Sequence, residues 1–99
     1  MARIVYSGRA NRDLNRLHEF MLDQAGSAMA TRAVRSILEA VEFLDRHPQV
    51  GRPVEHGLRE LVISYGKTGY LALYRFDLKF DEVRILARSE EHTSELQSL

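Results

Sequence analysis

The hydrophobic period of this chain changes once, and the place of that change constrains the fold more than any other feature. Before residue 47 the apolar side chains recur with the 3.6-residue period of helices, and from Leu58 onward they alternate with the period of two that marks strands. Between the two regimes lies HPQVGRPVEHG, residues 47–57, which holds both prolines and two of the six glycines and reads as a loop. In the first half, the β-branched and aromatic run Arg3–Tyr6 predicts a strand, and Ser7 stands where a helix N-cap belongs. Ala10, Leu14, Leu17 and Met21, with Phe20 beside them, form the stripe of a first helix, and Gly26 supplies its stop. Ser27 is placed to cap a second helix. Its stripe is Ala30, Val34, Ile37, Leu38, Val41 and Leu44, its polar face Arg32, Arg35, Glu39, Glu42 and Asp45, and Pro48 is expected to end it. Two amphipathic helices joined by two or three residues make an antiparallel hairpin.

In the second half, residues 58–64, 70–76 and 83–87 predict three successive strands, with turns at 66–69 and 77–81. The expected fold is therefore α+β: one small domain, order β-α-α-β-β-β, a two-helix hairpin packed on an antiparallel sheet. In the middle strand Tyr70, Ala72, Tyr74 and Phe76 point one way, and Leu71 and Leu73 the other. One hairpin covers one face only. The second face is either shielded by curl of the sheet or covered by another molecule, and the pattern leaves both open.

The chain has no cysteine, which removes disulfides, thiolate metal sites and a cysteine nucleophile. No charged leader precedes an apolar run at the N-terminus, and no apolar stretch approaches the roughly 20 residues that span a bilayer. A soluble cytoplasmic domain without a membrane partner is expected. The net charge of zero is misleading, because RSEEHTSELQS, residues 88–98, reads as one frame of a common sequencing-library adapter. Residues 88–99 are therefore expected to be a non-native tail, and residues 1–87 a domain cut short at its C-terminus. Setting aside Arg88 and Glu90, Glu91 and Glu95 leaves 13 basic residues against 11 acidic. A surplus near +2 does not by itself imply nucleic-acid binding.

Few residues invite chemistry. His18, His47, His56 and His92 form no i, i+4 pair with a matching carboxylate, so surface histidines and no metal site are expected. Ser7, Ser27 and Ser36 lack the Gly-x-Ser-x-Gly setting of a nucleophile. Gly66-Lys67-Thr68 lacks the glycine-rich run and helix of a phosphate loop. No catalytic residue and no cofactor is expected. More informative are Arg59, Arg75 and Arg84, in or at the ends of the later strands and in parity with apolar neighbours. Arginines so placed suit planar contacts to carboxylates or phosphates. The alternative is a packed stem with its head in water. Three in one sheet bring the partner-binding reading level with that alternative.

The blocks IVYSGRANRDL, HPQVGRPVEHGLRELVI, GYLALYRFD and VRILA, taken in order from Arg3 to Ala87, resemble the successive signature blocks of ParE-type toxins of the RelE/ParE superfamily. Members of that family continue after the last strand with an Arg- and His-rich segment, where this chain turns into adapter. The resemblance implies a β-α-α-β-β-β fold, the toxin of a type II toxin–antitoxin system, a cognate antitoxin partner encoded nearby, and a part in plasmid or chromosomal maintenance. It implies no small-molecule cofactor. The superfamily has two branches: ParE-like members poison DNA gyrase and are not nucleases, whereas RelE-like members are endoribonucleases that cut mRNA on the ribosome. The RelE-like branch carries cations at alternating positions of the strand before the Gly-Tyr pair and directly after it. Counted from Gly69-Tyr70, these positions are Val62, Ser64 and Leu71, none of them charged. Gyrase inhibition is therefore the expected activity; alternatives are the ribonuclease and an inactive remnant that binds antitoxin. Arg59, Arg75 and Arg84 are the expected antitoxin- or target-binding residues.

Overall fold

The computed structural model describes residues 2–65 and 68–87. Strand β1 (Arg3–Tyr6) leads into helices α1 (Gly8–Ala25) and α2 (Ser27–Glu42), followed by β2 (Arg52–Pro53), β3 (Arg59–Tyr65), β4 (Thr68–Asp77) and β5 (Glu82–Leu86). The strands form one sheet in the order β1-β5-β4-β3-β2, with the helical hairpin on one face. All pairings are antiparallel except β1 with β5, which is parallel, so the sheet is mixed. A parallel neighbour requires a crossover, and the α1–α2 hairpin belongs to it.

Local signals account for most element boundaries. The Ser7 hydroxyl accepts from the Ala10 backbone N–H at 3.0 Å, which caps α1. Gly26 ends α1 at φ 89°, and it alone separates the two helices, a tighter junction than the spacing predicts. That tightness makes Gly26 the residue before α2, so Ser27 lies inside the helix and makes no side-chain cap. Nor does Pro48 end α2. The helix stops at Glu42 and tightens into a 3-10 turn, Phe43–Asp45, that buries Leu44 completely. The turn aims the Asp45 carbonyl at the Ala2 N–H, 2.7 Å away, and so fastens the start of β1. The 47–57 loop contributes β2, whose residues pair with Glu60 and Arg59. Of the predicted 66–69 turn, Gly66 and Lys67 lie outside the described residues and Thr68 and Gly69 belong to β4.

The core lies between hairpin and sheet. Ala10, Leu14, Ile37, Val41 and Leu44 meet Ile63, Ala72, Tyr74, Val83 and Ile85, with Ile4, Tyr6, Leu61, Tyr70 and Phe76 packed around them. The opposite face carries Glu60, Val62, Leu71, Leu73, Arg75, Glu82, Arg84 and Leu86. It is not uniformly exposed: Leu73 is buried, Leu71 and Leu86 are half-buried, and Val62 stands free.

Candidate functional site

The register separates the three sheet arginines. Arg75 on β4 lies directly opposite Arg84 on β5, both exposed on the face away from the helices. Like charges in directly opposed positions oppose pairing of the strands. Glu82 offsets part of this charge, accepting from Arg84 at 3.5 Å and from Arg3 at 2.6 Å. Among the described residues Arg75 forms no ion pair. The sheet thus displays two neighbouring guanidinium groups on a surface where half-buried leucines begin.

Arg59 faces the other way. It shares the helix side of β3 with Leu61 and Ile63, and its guanidinium donates to the carbonyls of Gln49 and Gly51 at 2.9 and 2.8 Å. Gly51 N–H in turn donates to the Tyr74 hydroxyl at 2.8 Å. Burial pushes the Tyr74 hydroxyl above the ordinary tyrosine value, only partly countered by the Gly51 hydrogen bond and the Arg59 charge. Arg59 therefore binds its own loop to the sheet. Arg75 and Arg84 come together; Arg59 does not join them.

The positions Val62, Ser64 and Leu71 all fall on the outer face, Val62 opposite Leu71 and Ser64 opposite Gly69. None of the three is charged. The nearest carboxylate along β3 is Glu60, nearly buried and ion-paired with Arg52 across the β2–β3 register. Of the histidines, His18 is half-buried on α1, His47 stacks on Phe43 with ring centroids 4.2 Å apart, and His56 is exposed in the loop at φ 65°. His92 lies outside the described residues. Among the described residues no three His, Cys, Asp or Glu side chains gather as a metal site would require.

Two further surfaces were not singled out from the sequence. β2 pairs only with Arg59 and Glu60, so among the described strands nothing pairs with the outer edge of β3 beyond Glu60. Beside that edge runs an open groove of about 530 Å³, lined by Ala40, Phe43, Val50, Leu61 and Val62, with Phe43, Val50 and Val62 more than half exposed. The second surface is a pocket of about 200 Å³ formed by Arg9, Arg12, Asp13 and Arg16 of α1 with Ala87 after β5. The i, i+3, i+7 spacing of the three arginines was legible as one helix face. The apolar stripe of the same helix drew the reading instead.

The chain matches the family described as "ParE toxin of type II toxin-antitoxin system, parDE" over residues 4–92. It is 40% identical to Toxin RelE3 of Caulobacter vibrioides over 75 residues, covering 76% of this chain and 80% of that one. Its fold is similar to a chain of the chromosomal ParDE TA system from P. aeruginosa, with a TM-score of 0.73 and 27% identity. That match spans 87% of this chain and 91% of the other.

Proposed function

This chain belongs to the ParE toxin family of type II toxin–antitoxin systems, and from that premise we propose that it inhibits DNA gyrase and is neutralised by a cognate antitoxin. One observation carries the choice of target: Val62, Ser64 and Leu71 present no charge on the outer face of β3 and β4. Cleavage of RNA builds negative charge on the scissile phosphate, and losing even one positioned donor to such charge typically slows the reaction about 100-fold or more. Glu60, the one carboxylate on that stretch of β3, is held by Arg52. A gyrase inhibitor needs no such charged constellation, only a surface that binds.

The opposed Arg75 and Arg84 favour a second reading, the ribosome-dependent ribonuclease, because two guanidinium groups on one sheet face suit a phosphate. The name of the Caulobacter relative points the same way. In the first reading these two arginines contact the antitoxin or gyrase, while Arg59 holds the 49–51 loop against the sheet. Both readings place the protein in the cytoplasm, and among the described residues no helix is long and apolar enough to cross a membrane. The domain is taken as residues 1–87 and residues 88–99 as non-native. The family match runs on to residue 92, so that boundary rests on the adapter likeness alone.

The deciding experiment expresses the toxin with its genomic C-terminus restored and follows both targets. Gyrase-dependent DNA breaks with intact mRNA support the proposal; codon-phased mRNA cleavage with normal supercoiling overturns it. Growth unaffected by either route identifies the inactive remnant.

A further inference from the structure

The turn between β4 and β5 is built of residues that turns ordinarily avoid. Asp77 and Glu82 close the strand pair, and Leu78-Lys79-Phe80-Asp81 joins them. Such positions are usually filled by glycine, proline, asparagine, aspartate or serine. Here Leu78 is 78% exposed and Phe80 66%, so neither side chain is buried in the core. The backbone beneath them is nonetheless firmly held. Asp77 Oδ1 accepts from the Lys79 N–H at 3.0 Å and from the Phe80 N–H at 3.3 Å. The Asp81 N–H donates to the Leu78 carbonyl at 3.4 Å, and Asp81 takes φ 49°, a left-handed conformation that aspartate tolerates better than most residues. From the neighbouring strand the Arg3 N–H donates to the Asp81 carbonyl at 2.8 Å, so β1 fastens the base of the turn. Two large apolar side chains thus stand in solvent on a backbone that is already ordered, and a partner that receives them meets little ordering cost.

The charges around the turn select the kind of partner. Asp77, Asp81 and Glu82 stand against Lys79 alone, which disfavours the phosphates of nucleic acid and of an anionic membrane. The Lys79 ammonium lies 5.6 Å over the Phe80 ring and occupies a face on which a base would stack. A protein pocket with apolar walls takes Leu78 and Phe80 by burial, and a carboxylate at its rim takes Lys79. A convex, ordered tip also calls for a concave site on a partner that is itself folded. The exposed pair Arg75 and Arg84 adjoins the turn, two residues from Asp77 and Glu82 and so about 7 Å along the strands. An acidic rim meets these guanidinium groups as well.

We infer that Leu78 and Phe80 are the apolar anchor by which the toxin engages DNA gyrase, entering a pocket with apolar walls and an acidic rim, with Lys79, Arg75 and Arg84 facing that rim. This role rests on the gyrase reading above and adds to it the anchoring residues and the chemistry of the pocket that receives them.

The test titrates the toxin, with its genomic C-terminus restored, into a supercoiling assay with purified gyrase. Wild type is compared with L78S/F80S, with the conservative L78M/F80L, and with the control F20S, which removes an exposed apolar side chain from α1. Half-inhibition is expected to need about tenfold or more L78S/F80S, but to stay within about threefold of wild type for L78M/F80L and about twofold for F20S. Circular dichroism melting checks that the variants fold. If L78S/F80S does not, K79E carries the test, with an expected loss of about threefold. Inhibition by the folded L78S/F80S, or failing that by K79E, that matches wild type overturns the anchor and leaves the gyrase reading intact. An equal loss in F20S assigns the effect to surface apolarity in general and also overturns it. A wild-type toxin that leaves supercoiling untouched overturns both. Codon-phased mRNA cleavage that is lost in L78S/F80S assigns the turn to the ribosome instead and overturns both as well.

Discussion

The Tyr74 hydroxyl accepts a hydrogen bond from the Gly51 backbone N–H at 2.8 Å, across 23 residues of chain, in a fully buried setting. It joins the irregular 47–57 loop to the central strand β4. The approach is so close that a Cβ on Gly51 would lie 2.5 Å from the Tyr74 oxygen and 2.9 Å from the Glu60 carbonyl. Neither neighbour is free to move, since one is a buried ring and the other is backbone within the sheet.

Tyr74→Phe leaves that N–H buried without a partner and is expected to cost about 1–3 kcal/mol. Gly51→Ala forces the ring or the backbone aside and is expected to cost as much or more, about 1–3 kcal/mol from overpacking alone. In a small domain of marginal stability either loss is a large share of the total. Urea denaturation midpoints of the two variants measure both; an alanine at position 51 that leaves the midpoint unchanged contradicts the close approach.

The same buried hydroxyl sets a dependence on alkaline pH. Burial raises the Tyr74 pKa above its ordinary 10.0, and burial followed by the nearby Glu42 charge raises that of Tyr6. A tyrosine whose folded pKa lies above its unfolded one holds its proton longer in the folded state. Its contribution is complete below the unfolded pKa of 10.0 and is lost as pH rises from there through the folded value. Stability is therefore expected to fall as pH rises above 10.0, and to fall less steeply in a Tyr6→Phe/Tyr74→Phe double variant. Equal slopes in the two proteins would assign the fall to other groups.

The sheet arginines are separable by stability. Arg59→Gln leaves the Gln49 and Gly51 carbonyls short of a donor and is expected to cost about 1 kcal/mol, because the site is only partly buried. Arg75→Gln relieves a like-charge opposition with Arg84, so its stability is expected to hold or rise by about 0.5 kcal/mol while binding to antitoxin or target weakens. Thermal melts together with a binding assay distinguish the two. An Arg75→Gln chain that is destabilised yet binds normally would reverse the assignment.

That separation shows where sequence reading reached and where it stopped. Alternation placed Arg59, Arg75 and Arg84 each on the correct side of its own strand, and Ser7 and Gly26 marked the limits of α1 as their chemistry requires. Parity within a strand does not relate one strand's face to the next, however. Only the register, Arg59 beside Tyr74 and Arg75 beside Arg84, puts the first among core residues and the other two outside. The parallel pairing of β1 with β5 was hidden for a similar reason, since it joins segments almost 80 residues apart through contacts with no local signature. Pro48 misled because tertiary contacts, the burial of Leu44 and the bond from Ala2 to Asp45, had already ended the helix. The α1 arginines were visible at i, i+3 and i+7, but only the folded chain brings Ala87 and Tyr70 beside them.

The outer edge of β3 carries the last prediction. Beyond Glu60 it has no strand partner among the described residues, and Val62, 71% exposed, stands beside the apolar groove of Phe43 and Val50. An unpaired strand flanked by apolar side chains is a template for pairing with another chain, and soluble proteins commonly guard such edges with lysine or proline. This chain places a valine there instead. Without a partner it is expected to self-associate through this edge, and Val62→Lys is expected to suppress that association by charge repulsion and loss of apolar contact. Because the side chain is exposed, the folded stability should change by no more than about 0.5 kcal/mol. Light scattering at increasing protein concentration, read beside urea midpoints, checks both parts. Self-association as strong in Val62→Lys as in the wild type would place the sticky surface elsewhere, with the exposed Leu78 and Phe80 of the β4–β5 turn as the next surface to alter.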